Sequence, residues 1–313
     1  MENVVAGALF IAIQAGAVIV IAAMGELIGE QSGVFNMGLE GTMAMGAITG
    51  FIAVTIIPSP YLGMGVAMLV GIVMGCLLAI AAVSVRVNQL VAGLALGFVG
   101  NGLAREIGRP YAGRLIDARF LPVHLPILSD LPFLGRPFFS QDPAVYIAYL
   151  ILPALVSFVL FRTRWGMAIR ACGENPAAAD SAGISVTRVR FLCTCFAGAM
   201  AGAAGAYLVL AFAPTWVEGV TGGKGWIAVA LVIFSRWRPK FLIFGALLFG
   251  VMTSLGFVAQ IQGWGAYANF LSMIPYLSTI ALLMLPSMSG RGSQRKRAAF
   301  PGGLGMPYSR EEA

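Results

Sequence analysis

The chain has 313 residues, of which 59% are hydrophobic and 11% charged; counting its 40 glycines, the apolar share is roughly 72%, against about 45–50% in soluble domains. So few charges cannot cover a water-exposed surface, which excludes a soluble globule, and a disordered chain would be polar and charge-rich. The net charge of +7 fits basic loops on the cytoplasmic face of a membrane, and no basic stripe interleaved with aromatics points to nucleic acid.

A spanning helix needs about 20 apolar residues, because roughly 30 Å of hydrocarbon is crossed at 1.5 Å per residue. Runs of that kind occur at 4–24, 37–57, 61–84, 89–105, 144–161, 189–212, 240–259 and 268–286, with a shorter run at 225–235. Uninterrupted apolar runs argue against a β-barrel, whose strands alternate. The expected fold is an all-α polytopic membrane bundle with eight to ten crossings, and 37–57 and 225–235 are the candidates for broken or re-entrant helices. Residues 1–289 are read as one transmembrane domain. The first run has Glu2 where a signal peptide carries positive charge, so it is expected to be a retained helix.

Placing the 162–190 loop in the cytoplasm puts 14 Lys and Arg on that side and 6 on the other. The 106–143 loop, with six prolines, is then extracytoplasmic. The tail 290–313, carrying Arg295, Lys296 and Arg297, is expected to be a disordered cytoplasmic end touching anionic lipid.

In chain order, the first polar feature is the segment 25–47, which sets Glu26, Glu30, Gln31, Ser32, Asn36 and Glu40 between two apolar runs with no basic residue. A solvated loop is one reading. The other is a broken helix whose backbone lines a cavity. On the second reading Ser32, Asn36 and Glu40, with Asn88 and Gln89 at the start of the fourth run, are candidates for the path or gate; capping is the simpler role for Asn88 and Gln89. Small residues recur four apart at Gly25/Gly29, Gly46/Gly50, Gly71/Gly75, Gly93/Gly97 and Gly198/Gly202, as close helix packing in lipid requires.

The 162–190 loop contains a helix signal: Asn175-Pro176 as a start, Ala177 to Ala182 as helix formers and Gly183 as a stop. A short structured helix flanked by arginines suits a docking surface better than a connector. The stretch "GVTGGKGW" at 219–226 is not a phosphate loop, since its spacing is one residue short and Gly225 follows the lysine. His124 is the sole histidine, and Cys76, Cys172, Cys193 and Cys195 lack metal-ligand spacing with it. Neither a metal site nor a catalytic constellation is expected, so the chain is read as non-enzymatic.

The motifs "SGVFNMGLEGTMAMGA" (32–47), "NQLVAGLALGFVGNGL" (88–103), "RTRWGMAIRACGENPAAADSAGISVTRVR" (162–190), "FAGAMAGAAGAYL" (196–208) and "GGKGWIAVALVIFSRWRP" (222–239) resemble the permeases of ABC importers of the branched-chain amino acid, simple sugar and nucleoside superfamily. The likeness is strongest to the shorter permease of nucleoside-type systems. It implies a multi-pass subunit of the bacterial plasma membrane that works by alternating access. The implied partners are a second homologous permease, a cytosolic ATPase with two nucleotide domains, which would hold the ATP and Mg, and an extracytoplasmic substrate-binding protein. The chain itself would bind no cofactor. The resemblance carries the ATPase-coupling role to Gly173, Glu174, Asn175, Pro176, Ala179, Asp180, Ala182 and Gly183. The implied cargo is a nucleoside or related purine or pyrimidine compound, with a simple sugar as the alternative. An ion-coupled secondary transporter is the less favoured class, because it would place acidic ion sites in mid-span.

Overall fold

A computed structural model describes residues 2–124, 126, 129, 135–261, 273, 274, 277 and 301–309. The main helices are α1 (Glu2–Gln31), α2 (Leu39–Ile56), α3 (Pro60–Ser84, ending in a π turn), α4 (Gln89–Gly108), α5 (Pro143–Arg162), α6 (Arg164–Glu174), α7 (Pro176–Ser181), α8 (Val186–Phe212), α9 (Lys224–Phe234) and α10 (Pro239–Ile261). Among the described residues seven helices, α1–α5, α8 and α10, are long and apolar enough to cross a membrane. The expected run at 268–286 lies almost wholly outside the described residues.

Helix α8 is the axis of the bundle, packed against α1, α2 and α3; α10 lies on α1, and α4 on α2. Glycines set these crossings. A Cβ added at Gly46 would meet the Gly202 backbone, one at Gly71 the Gly198 carbonyl, one at Gly41 the Gly97 carbonyl and one at Gly25 the Met200 side chain. Lipid tails give no hydrophobic drive between helices, so this close backbone approach supplies the attraction. The four-residue spacing read from the sequence is therefore the packing code of the core.

The 37–57 run is not broken: α2 is continuous from Leu39. The break falls before it, at 32–38. That segment turns at Gly33 (φ +97°) and folds back along α1, so that Asn36 donates its backbone N–H to Glu26 Oε1 at 3.0 Å. Helix α9 is the second short piece. Its chain arrives as an irregular stretch, 213–223, that begins at the end of the bundle where Gly113 N donates to the Trp216 carbonyl at 2.8 Å. It leaves through a turn in which Arg236 and Trp237 both have positive φ.

Arg86, Arg190, Arg236 and Arg238 stand at one end, close to α6 and α7, while Arg105 pairs with Glu218 at 2.7 Å at the other, both side chains exposed. Lys224 is half-buried beside Glu40 and donates to the Thr221 carbonyl at 3.2 Å.

The tail expected to be disordered is packed where it is described. Residues 301–309 lie on the basic end, with Leu304 and Tyr308 against the core. The reason is glycine: the same residues that make the composition look unstructured let this backbone approach another backbone closely.

Candidate functional site

Two groups of residues define the candidate site, a surface helix and a clasp of buried polar groups behind it. The surface helix is α7. Asn175 caps it, its Oδ1 accepting from Ala178 N at 3.1 Å, and Pro176 takes the first position. Gly183 stops it at φ +83°, donating its N–H to the Asp180 carbonyl at 2.8 Å. These are the start and stop read from the sequence. Ala179 is buried as the anchor of the helix, while Glu174, Asn175, Ala182 and Gly183 face outward and Pro176 and Asp180 are half-buried. The outward residues thus stand on or beside a short helix whose two ends are fixed.

Gly173 joins this helix to the interior. It is buried, and a Cβ there would fall on the Gln31 carbonyl and within 3.2 Å of Gly33 N. Any shift of α6–α7 therefore presses directly on the segment that starts the 32–38 fold-back. The sequence reading did not single out α6. Its signal is present: Thr163 caps it by accepting from Gly166 N at 3.1 Å, and Gly166, Ile169 and Cys172–Gly173 form one buried face at helical spacing. Burial pushes the Cys172 thiol above its ordinary range, which makes it an inert packing residue. A cavity of about 580 Å³ opens beside α6, lined by Gln31, Arg170, Glu174, Arg236 and Arg238 among others.

The clasp holds the 32–38 fold-back and the start of α9. Ser32 is buried and donates to the Gly29 carbonyl at 2.6 Å. Asn36 Oδ1 accepts from Gly38 N at 2.8 Å. Gln89 accepts from Phe35 N at 2.9 Å. Asn88 caps α4, accepting from Leu90 N at 3.0 Å, which is the simpler role anticipated for it. Glu40 reaches across to α9, its two oxygens accepting from Gly223 N at 2.8 Å and Gly225 N at 2.7 Å. A carboxylate at a helix N-terminus answers both the unpaired N–H groups and the helix dipole. Gly225 has to be glycine, since a Cβ would lie 2.6 Å from the Glu40 backbone. This is the physical content of the "GGKGW" motif.

The structure thus brings Ser32, Asn36 and Gln89 together around one loop, with Glu40 beside it, and leaves Asn88 outside as a cap. The sequence reading named Glu26 and Glu30 without a role. Both are fully buried on α1, where Glu26 anchors the loop and Glu30 accepts from Trp237 Nε1 at 2.6 Å. Among the described residues one oxygen of each carboxylate has no hydrogen-bond partner. The reading missed a further knot at the opposite end. There Asp142 accepts from Tyr207 Oη at 2.8 Å, Gln14 Nε2 at 3.2 Å and Val145 N at 3.2 Å, tying α8, α1 and α5. Burial raises the Asp142 carboxyl above the usual range, and the three donors pull it back. The Asp142-Pro143 pair before an apolar run was the available signal.

His124, read as partnerless, has its Nδ1 at 3.1 Å from Ser140 Oγ. Among the described residues no group of three His, Cys, Asp or Glu side chains stands together as a metal site would require.

Known proteins resemble this chain in sequence. The family model described as the branched-chain amino acid transport system permease component matches residues 8–283. A putative glucose ABC transporter permease protein of Haloferax volcanii is 37% identical, over 98% of both chains. The guanosine ABC transporter permease protein of Bacillus subtilis is 32% identical over 93% of this chain and 92% of its own. A nucleoside ABC transporter permease protein of Lactococcus lactis is 31% identical over 85% and 88%. No solved structure matches. Matched nearly end to end, and built as a multi-pass helical membrane protein, the chain belongs to the branched-chain amino acid type permease family and is a permease subunit of an ABC importer.

Proposed function

We propose that this permease supplies part of the translocation path for a nucleoside or related purine or pyrimidine compound, in an importer of the plasma membrane driven by ATP hydrolysed on a partner chain. The observation that carries the reading is the capped helix α7, presented at the basic end and joined through the Gly173 backbone to the 32–38 fold-back. ATP binding would close the ATPase pair against α7. The push would pass through Gly173 to the clasp, where Ser32, Asn36, Glu40 and Gln89 hold the 32–38 fold-back and the start of α9, which would gate the path. A second permease and an extracytoplasmic binding protein complete the assembly. The likeness to guanosine and nucleoside permeases supports the cargo. The glucose permease relative, matched over 98% of the chain, supports a simple sugar as the second reading. Nine crossings, within the expected eight to ten, follow if the 213–223 stretch with α9 makes one passage and the 268–286 run another.

The test is uptake of labelled guanosine by cells producing the whole importer. Wild type is expected to import it, and excess unlabelled glucose to leave uptake unchanged. The double change Glu174→Arg and Asp180→Arg is expected to lower uptake at least about 10-fold with normal membrane insertion, because it reverses charge on a docking face. Competition by glucose would move the assignment to the sugar reading. Full uptake by the double variant would remove α7 from the coupling role.

A further inference from the structure

Arg190 on α8 is only 2% exposed, and among the described residues each of its four hydrogen bonds goes to a backbone carbonyl. Its Nε donates to Ser32 O at 3.1 Å. Its Nη1 donates to Met306 O at 2.8 Å. Its Nη2 donates to Cys172 O and Gly303 O, both at 3.3 Å. One guanidinium thus knots four parts of the chain: α8, the end of α6, the start of the fold-back and the C-terminal segment. A buried guanidinium whose hydrogen bonds go to neutral carbonyls depends on its full set of acceptors.

Half of those acceptors belong to the tail. The tail is held in turn by Gly303 N donating to Gly173 O at 2.7 Å, by Gly305 N donating to Gly33 O at 3.2 Å and by Arg86 Nη1 donating to Ser309 Oγ at 2.9 Å. The fit is close on the coupling side: a Cβ on Gly302 would lie 2.8 Å from the Glu174 carbonyl, and one on Gly303 3.0 Å from Pro176 Cδ. Gly305 takes φ +77°, which directs the chain back over Gly33.

We propose that residues 301–309 are a coupling strap and that Arg190 is its positioning residue. The strap bonds to Gly173 on the helix that meets the ATPase and to Gly33 on the segment that leads to the gate. With it in place the two move as one body. Without it, Arg190 keeps only the Ser32 and Cys172 carbonyls, water enters, and α6–α7 can shift without moving the fold-back. The proposal rests on the coupling role of α7 given above.

The experiment uses the complete importer in proteoliposomes, with labelled guanosine as the probe, and measures guanosine imported per ATP hydrolysed. Three variants are compared with wild type: deletion of 301–313, Arg190→Lys, and both together. The deletion is expected to assemble and to hydrolyse ATP, while import per ATP falls at least about 5-fold, the low end of ordinary coupling energies. In the Arg190→Lys background the deletion is expected to cost much less, since both changes undo one knot. A deletion with wild-type import per ATP, or one whose effect is as large in Arg190→Lys as in wild type, overturns the proposal. If Arg190→Lys fails to assemble, the deletion alone decides. Wild type that imports no guanosine with ATP would count against the cargo or the coupling reading, and the ratio of bound ATPase to permease then tells which.

Discussion

Replacing Gly205 with leucine is expected to leave almost no folded protein in detergent. Gly205 lies on α8 where it crosses α2, and a Cβ there would fall on the Met43 carbonyl and within 2.9 Å of Ala47 N. Both are backbone atoms of a continuous helix, so no side chain can swing aside. Relief would require the two central helices to separate, which would also open the Gly46–Gly202 contact above. Overpacking against a rigid neighbour costs about 3 kcal/mol or more. Gly102→Ala on α4 is the control: nothing lies within 4 Å of a Cβ there, and alanine gains up to about 1 kcal/mol of helix propensity. Size-exclusion profiles of the two variants give the answer. A monodisperse Gly205→Leu protein would contradict the packing described.

Glu40→Ala is expected to cost about 3 kcal/mol of stability and most of the transport, since it leaves one buried and one part-buried N–H group of the α9 start without acceptors. Glu40→Gln should fall between, because one amide oxygen can still accept while its NH2 opposes the second N–H. The consequence runs beyond α9. That helix ends in the turn whose Trp237 is bonded to Glu30, so its displacement reaches the basic end of the bundle. Melting midpoints and guanosine uptake of the three proteins should follow the order Glu, Gln, Ala. An alanine variant that matches wild type in both would show that Glu40 does not hold α9.

Much of this was legible in the sequence, for identifiable reasons. Apolar runs of spanning length gave α1 to α5, α8 and α10, because a bilayer fixes the length it accepts. Asn175, Pro176 and Gly183 gave α7, since caps act within a turn of their own residue. The glycine spacing gave the crossings. What escaped depends on partners far apart in the chain. Glu40 meets Gly225 from 185 residues away, and Gln89 meets Phe35 from 54. A run of mixed polar and small residues such as 25–47 shows that something other than a plain span is present, but not which neighbour satisfies each group. The break was expected within 25–47 or within 37–57, and it lies at 32–38, inside the first range and ahead of α2. The tail escaped for the opposite reason: glycine lowers the expectation of structure, yet at Gly302 and Gly303 its lack of a side chain is what permits contact.

The central claim is that an outside motor moves this bundle through α7. The direct measurement is guanosine uptake into proteoliposomes holding the complete importer, with ATP supplied on the α7 side and the proton and sodium gradients collapsed by ionophores. The account predicts uptake that requires ATP, is unchanged by the ionophores and is lost in the Glu174→Arg, Asp180→Arg double variant. Uptake that continues without ATP and disappears with the ion gradients would contradict it.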